Sequence, residues 1–117
     1  MSKDWAKYLQ DHESRGSVLI EDAAGAMQPF RQVLNHASKA GALDAKVKEL
    51  MVLAISIAIG CEGCIAFHAR AAVRKGATRE EVLETIAVAI GMGGGPSTIY
   101  GAEALEAYDQ FAGRQGR

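Results

Sequence analysis

Two thiols, an imidazole and a carboxylate fall at fixed spacings in one stretch of the chain: Glu49, then Cys61 after eleven intervening residues, then Cys64, then His68. If a helix begins near Cys61, residues three and four apart share a face, so Cys61, Cys64 and His68 line one stripe over two turns. Two thiols one turn apart at a helix start can close into a small-loop disulfide. A thiolate there is stabilised by unpaired amide N–H groups and by the positive end of the helix dipole. In Cys-x-x-Cys motifs these effects bring a thiol pKa from about 8.5 into a range of ~3.5 to 7.5. His68, one turn past Cys64, can accept or relay the proton. The pattern predicts a redox site.

Glu49 joins it only if the chain turns back. In one continuous helix the carboxylate would lie roughly 18 Å from Cys61, at about 1.5 Å per residue. If the helix instead ends at Gly60, Glu49 lies about 16 Å before the break and His68 about 12 Å after it, level across an antiparallel helix pair. Glycine is the usual residue at such a helix end, and Cys61 would open the next helix. A carboxylate against the imidazole would orient the ring and raise its basicity.

Several readings are excluded by the bulk of the chain. Its 117 residues suit one domain, with a core near the size at which association helps. The net charge is −1 and no run of like charge exceeds two residues, so neither a nucleic-acid nor an anionic-membrane surface is expected. The apolar stretch Leu50 to Ile59 is too short to span a bilayer. The first residues lack the apolar core and small-residue cleavage site of a leader, and we expect a cytoplasmic protein. In a reducing compartment a lone pair of cysteines three apart points to catalytic redox or metal ligation rather than to a stabilising staple.

No stretch alternates with period two, while helical spacing with start and stop signals recurs, which predicts an all-α fold built on a central antiparallel helix pair. Residues 2 to 24 are expected to form one or two short helices. Pro29 suits a first helical turn, followed by Phe30, Val33, Leu34 and Ala37 up to Gly41. Asp44 is a suitable N-cap for a helix to Ile59, whose second half is apolar all round and is expected to be central and enclosed. The helix from Cys61 should end at Gly76, with Arg70, Arg74 and Lys75 near its negative end. Thr78 and Glu81 form a capping box for a helix whose inward face is Val82, Leu83, Ile86, Ala89 and Ile90. The glycines at 91 and 93–95, with Pro96, should interrupt it before a last helix to Phe111. That cluster follows a helix and lacks the Lys-Ser/Thr of a phosphate loop, so it is read as a break, and no cofactor is expected.

Blander readings compete. Free cysteine is often buried and inert. A tetrahedral metal site could use Cys61, Cys64, His68 and either Glu49 or His36, although structural zinc usually draws on two separated ligand pairs. His12 and His36 are expected at the surface, with nothing pairing them to chemistry. Trp5, Met51, Met92 and the tyrosines are core or interface candidates.

The spacing Glu49, Cys61-x-x-Cys64, His68, followed by Gly76-Ala-Thr-Arg-Glu-Glu81 and Gly93-Gly-Gly-Pro96, resembles the carboxymuconolactone decarboxylase superfamily and, within it, the alkylhydroperoxidase D-like branch. The resemblance covers roughly residues 27 to 112. It implies an all-helical homo-oligomer of three or six subunits with thiol peroxidase or disulfide reductase activity. It also implies a hydroperoxide substrate and an external dithiol reductant, lipoyl-carrying or thioredoxin-like. Residue by residue, Cys64 resembles the peroxidatic cysteine, Cys61 its resolving partner, and Glu49 with His68 the proton relay. Helix electrostatics alone favour Cys61 as the more acidic thiol, whereas His68 sits one turn from Cys64, and proton transfer decides for Cys64. Peroxidases of this type carry a second histidine directly before the later cysteine, where this chain has Gly63. A relay member is therefore expected to be missing and peroxide turnover to be slow. Lactone decarboxylation is the alternative activity, although that branch typically lacks the Cys-x-x-Cys.

Overall fold

A computed structural model describes residues 3–113, and its regular elements are helices α1 (Trp5–Asp22), α2 (Ala24–Ser38), α3 (Ala45–Ile59), α4 (Glu62–Arg74), α5 (Arg79–Gly93) and α6 (Gly95–Phe111). Among the described residues there is no strand, as the missing period-two pattern predicts.

The capping signals act where the sequence places them. The Asp44 carboxylate accepts from the Val47 amide, and Gly60, at φ 71°, ends α3 in the left-handed conformation that glycine adopts without strain. Thr78 and Glu81 form the complete capping box of α5. Gly94, at φ 76°, separates α5 from α6, so the glycine-rich segment breaks the chain at one residue while Gly91 and Gly93 remain helical.

Helices α3 to α6 pack around Leu53 and Ile57 of α3, Ile65 and Ala66 of α4, Val82 and Ile86 of α5, and Ala104 and Ala107 of α6. The many alanines bring the helix axes close, which is how four helices without a buried phenylalanine fill their interior. The ends of the bundle are tied by polar groups. Tyr108 donates its hydroxyl to the Ala77 carbonyl at 2.7 Å, and Arg79 holds Asp109 through two bonds at 2.9 and 3.0 Å.

The N-terminal part departs from expectation. Residues 5 to 22 form one helix of 18 residues instead of short pieces. Asp4 caps it through the Lys7 amide, and the fully buried Trp5 anchors it to α6 by an indole N–H bond to Glu106 at 2.8 Å. Helix α2 begins five residues before Pro29, which lies in its second turn. There the missing amide removes one i−4 bond close to the helix start and leaves the helix intact.

Helix α3 is central but not enclosed. Its Leu53, Ser56 and Ile57 are buried, whereas Val47, Met51, Ile55 and Ile59, spaced by four, form an exposed apolar stripe. Val88 and Met92 of α5 and Phe30, Val33 and Leu34 of α2 are exposed as well, and Leu83, expected inward, is 40% exposed. A shallow apolar groove lined by Val47, Leu50, Met51, Ala54, Thr85 and Val88 runs between α3 and α5.

Candidate active site at the head of α4

The turn at Gly60 builds the site. Tyr100 of α6 packs against this glycine, and Cys61 follows as the N-cap of α4, its Sγ accepting from the Cys64 amide at 3.3 Å. One turn on, Cys64 is bonded to Cys61 in a disulfide spanning a Cα separation of 5.2 Å. Both cysteines are partly exposed, so a small reactant can approach them. A disulfide across the first turn of a helix fits a redox role and holds no distant parts of the chain together.

One turn further along α4, the His68 Nδ1 meets the Glu49 carboxylate of α3. The antiparallel α3–α4 pair therefore brings together residues 19 apart, as the length estimate predicts. The Glu49 side chain is 12% exposed and the His68 side chain 24%, so water competes little for their contact. With Nδ1 held by a carboxylate, Nε2 is the ring nitrogen left for proton exchange. Phe67 packs edge-on against the His68 ring at 5.0 Å.

His36 sits exposed near the end of α2, and among the described residues no three or more His, Cys, Asp or Glu side chains are grouped so as to hold a metal ion. Nor is any described helix long and apolar enough to cross a membrane.

Two groups missed in the sequence border the cysteine turn. His12 is exposed, as expected, but its ring lies against Gly63, the residue between Glu62 and Cys64. A β-carbon at position 63 would sit 2.6 Å from the ring Cε1 and 3.1 Å from Cδ2, with Nε2 nearer still. The space of the side chain absent from position 63 is thus filled from α1. The spacing Trp5, Tyr8, Leu9, His12 continues the inward stripe of α1 and could have placed this histidine.

The second is Glu103 of α6, which faces Glu62 of the motif. Burial and then the hydrogen bond and charge of Glu62 push Glu103 up to about 7, while Glu62, hydrogen-bonded by Glu103 and paired with Lys3 at 2.7 Å, is held below the usual carboxylate range. The pair shares one proton near neutrality. Because the native state binds this proton more tightly than the unfolded chain, the native state gains protons relative to it between about pH 4.5 and 7, and stability falls as pH rises through that window. Glu103→Gln, which keeps the hydrogen bond without the charge, should therefore leave stability at pH 5 nearly unchanged. At pH 8 it should raise stability by about 1 kcal/mol after allowance for solvent screening, read from thermal or urea unfolding at the two pH values.

Comparison with known proteins completes the picture. The carboxymuconolactone decarboxylase family model matches residues 22–107. The chain belongs to this family. It is 37% identical over 109 residues to an uncharacterised protein of Cupriavidus necator, covering 93% of this chain and 96% of that one. Among solved structures, a carboxymuconolactone decarboxylase family protein from Legionella pneumophila superposes with a TM-score of 0.90 at 41% identity, over 95% of this chain and 99% of that one. A family protein from Thermotoga maritima, whose name carries a suggested link to antioxidative response, has the same fold, with a TM-score of 0.80 at 24% identity over 88% of each chain. Family membership agrees with the resemblance drawn from the Glu, Cys-x-x-Cys and His spacing, and the match begins five residues earlier than that resemblance.

Proposed function

We propose that this family member is a thiol-dependent peroxidase or disulfide oxidoreductase that reduces hydroperoxides at the Cys61/Cys64 pair. The observation that carries the proposal is the disulfide across the first turn of α4, with the Glu49–His68 pair one turn beyond. In the reduced enzyme the Cys64 thiolate attacks the distal oxygen of the peroxide, the O–O bond breaks, and the alkoxide leaves as an alcohol with a proton delivered from His68. Cys64 is then a sulfenic acid. Cys61 attacks its sulfur, the disulfide forms, and the hydroxyl leaves as water. An external dithiol, lipoyl-carrying or thioredoxin-like, reduces the disulfide and takes up the oxidising equivalent.

The cap geometry suits this division of labour. Cys61 Sγ, on the Cys64 amide, is the thiolate that the helix end stabilises, which makes it a ready nucleophile towards the sulfenic acid and a good leaving group when the reductant attacks Cys64. One equivalent of cumene hydroperoxide added to reduced protein should remove both thiols together. Retention of both would overturn the proposal.

We also propose that copies of this chain cover the apolar stripe of α3 and the exposed faces of α2 and α5, giving a trimer or hexamer. Sedimentation at three or six times the 12.4 kDa protomer mass is the expected result, and a monomer at micromolar concentration would contradict it.

A further inference from the structure

We infer that His12 of α1 is a third ionisable group of the thiol site, an imidazole that lies against the turn between the two cysteines and favours their thiolate form. The inference rests on the dithiol reading above and extends it to a residue outside the matched family segment, which begins at residue 22.

The geometry leaves this imidazole little freedom. Gly63 is buried, and the His12 ring occupies the place of its missing side chain, so any residue with a β-carbon at 63 would displace the ring. The ring is also stacked on Tyr8, one turn before it, with centroids 5.9 Å apart and planes 20° from parallel. On the next residue of α1, Glu13 pairs with Arg70 of α4 at 2.9 Å, which ties the helix to α4 beyond the C-terminal side of the motif. Position 12 is thereby held over the first turn of α4. Since consecutive Cα atoms are about 3.8 Å apart, a ring nitrogen in contact with residue 63 lies within a screening length of both sulfurs.

A cation there stabilises a thiolate in the same way as the helix end does, and an exposed imidazole can exchange its proton with water. Helices α2, α4 and α6 pack on α1. The ionisable groups that act on Tyr8 and Glu13, the neighbours of His12 on α1, are Lys3, Arg15, Glu62 and Arg70, with Glu103 of α6 against Glu62. Of these, Lys3 is paired with Glu62 and Glu13 with Arg70. Among the described residues no carboxylate forms a salt bridge with His12.

The test is the alkylation rate of the fully reduced protein with iodoacetamide between pH 5.5 and 9.5, for the wild type, His12→Gln and His12→Lys. His12→Gln should slow alkylation about fivefold or more near pH 6, and the two curves should converge near pH 9.5, where the thiols ionise without help. His12→Lys, which places a fixed cation at the same position, should recover much of the rate at pH 6. Identical profiles for wild type and His12→Gln would overturn the inference. So would a slowing of equal size at every pH, because that marks a change in packing alone. Alkylation needs no peroxide, so the result stands apart from whether hydroperoxide is the oxidant. A protein that alkylates as predicted but keeps both thiols when given hydroperoxide would retain the role of His12 and lose the peroxidase reading.

Discussion

Cys64→Ser should lower dithiol-dependent hydroperoxide turnover by about 10³-fold or more, to the background of peroxide with the reductant alone. The loss is expected to be this large because the sulfur of Cys64 is a partner in every covalent bond the protein itself makes or breaks in the proposed cycle, and a serine hydroxyl neither ionises near neutrality nor accepts oxygen from a peroxide. Cys61→Ser should behave differently. It should consume one equivalent of hydroperoxide and stall with Cys64 as a sulfenic acid, detectable by dimedone labelling, because the resolving nucleophile is gone. A lactone decarboxylase would give the opposite outcome, since Cys64→Ser would leave substrate turnover intact. The pair of variants also tests the direction of the chemistry, because the amide cap on Cys61 would allow the roles to be exchanged. Dimedone labelling of Cys61 in Cys64→Ser would reverse the assignment.

The second large effect is expected at the histidine pair. His68→Gln should reduce kcat by about 10²-fold or more with little change in KM, because proton delivery to the departing alkoxide is needed only in the transition state. Glu49→Gln should act in the same direction with a smaller loss. The imidazole stays in place, but the carboxylate that fixes its ring orientation is gone. Equal kcat values for wild type and His68→Gln over pH 6 to 8 would remove His68 from the proton path. Thermal unfolding of each variant separates this result from a folding defect, since both side chains are partly exposed at the edge of the core.

Much of this site is legible in the sequence because its parts are local. Cys61, Cys64 and His68 are tied by helix periodicity. Glu49 reaches them through a turn that Gly60 announces, and helix rise alone fixes where the two arms come level. The caps at Asp44 and Thr78 are equally local, and both residues cap their helices as the sequence predicts. What escaped depends on tertiary context. Pro29 has the residue type of a first turn, yet α2 starts at Ala24, because tertiary placement tolerates one lost bond. The apolar second half of α3 signals burial without saying by what, and half of that surface faces outward from the protomer. Glu103 sits between alanines with no local sign that Glu62 would come to face it. His12 lies more than fifty residues from Gly63, and only the stripe it shares with Trp5 and Leu9 points inward. Gly63, where a second relay histidine is absent, is also the residue whose lack of a side chain leaves room for an imidazole from another helix.

In the proposed cycle Cys61 and Cys64 act as one two-electron centre towards a hydroperoxide. The most direct measurement of this is the mass of reduced protein alkylated after exposure to one equivalent of cumene hydroperoxide under anaerobic conditions. The doubly alkylated species should be replaced by an unalkylated one that regains both labels after treatment with dithiothreitol. A protein that still takes up two labels after exposure would contradict it, as would one that stops with a single labelled cysteine and an oxidised partner.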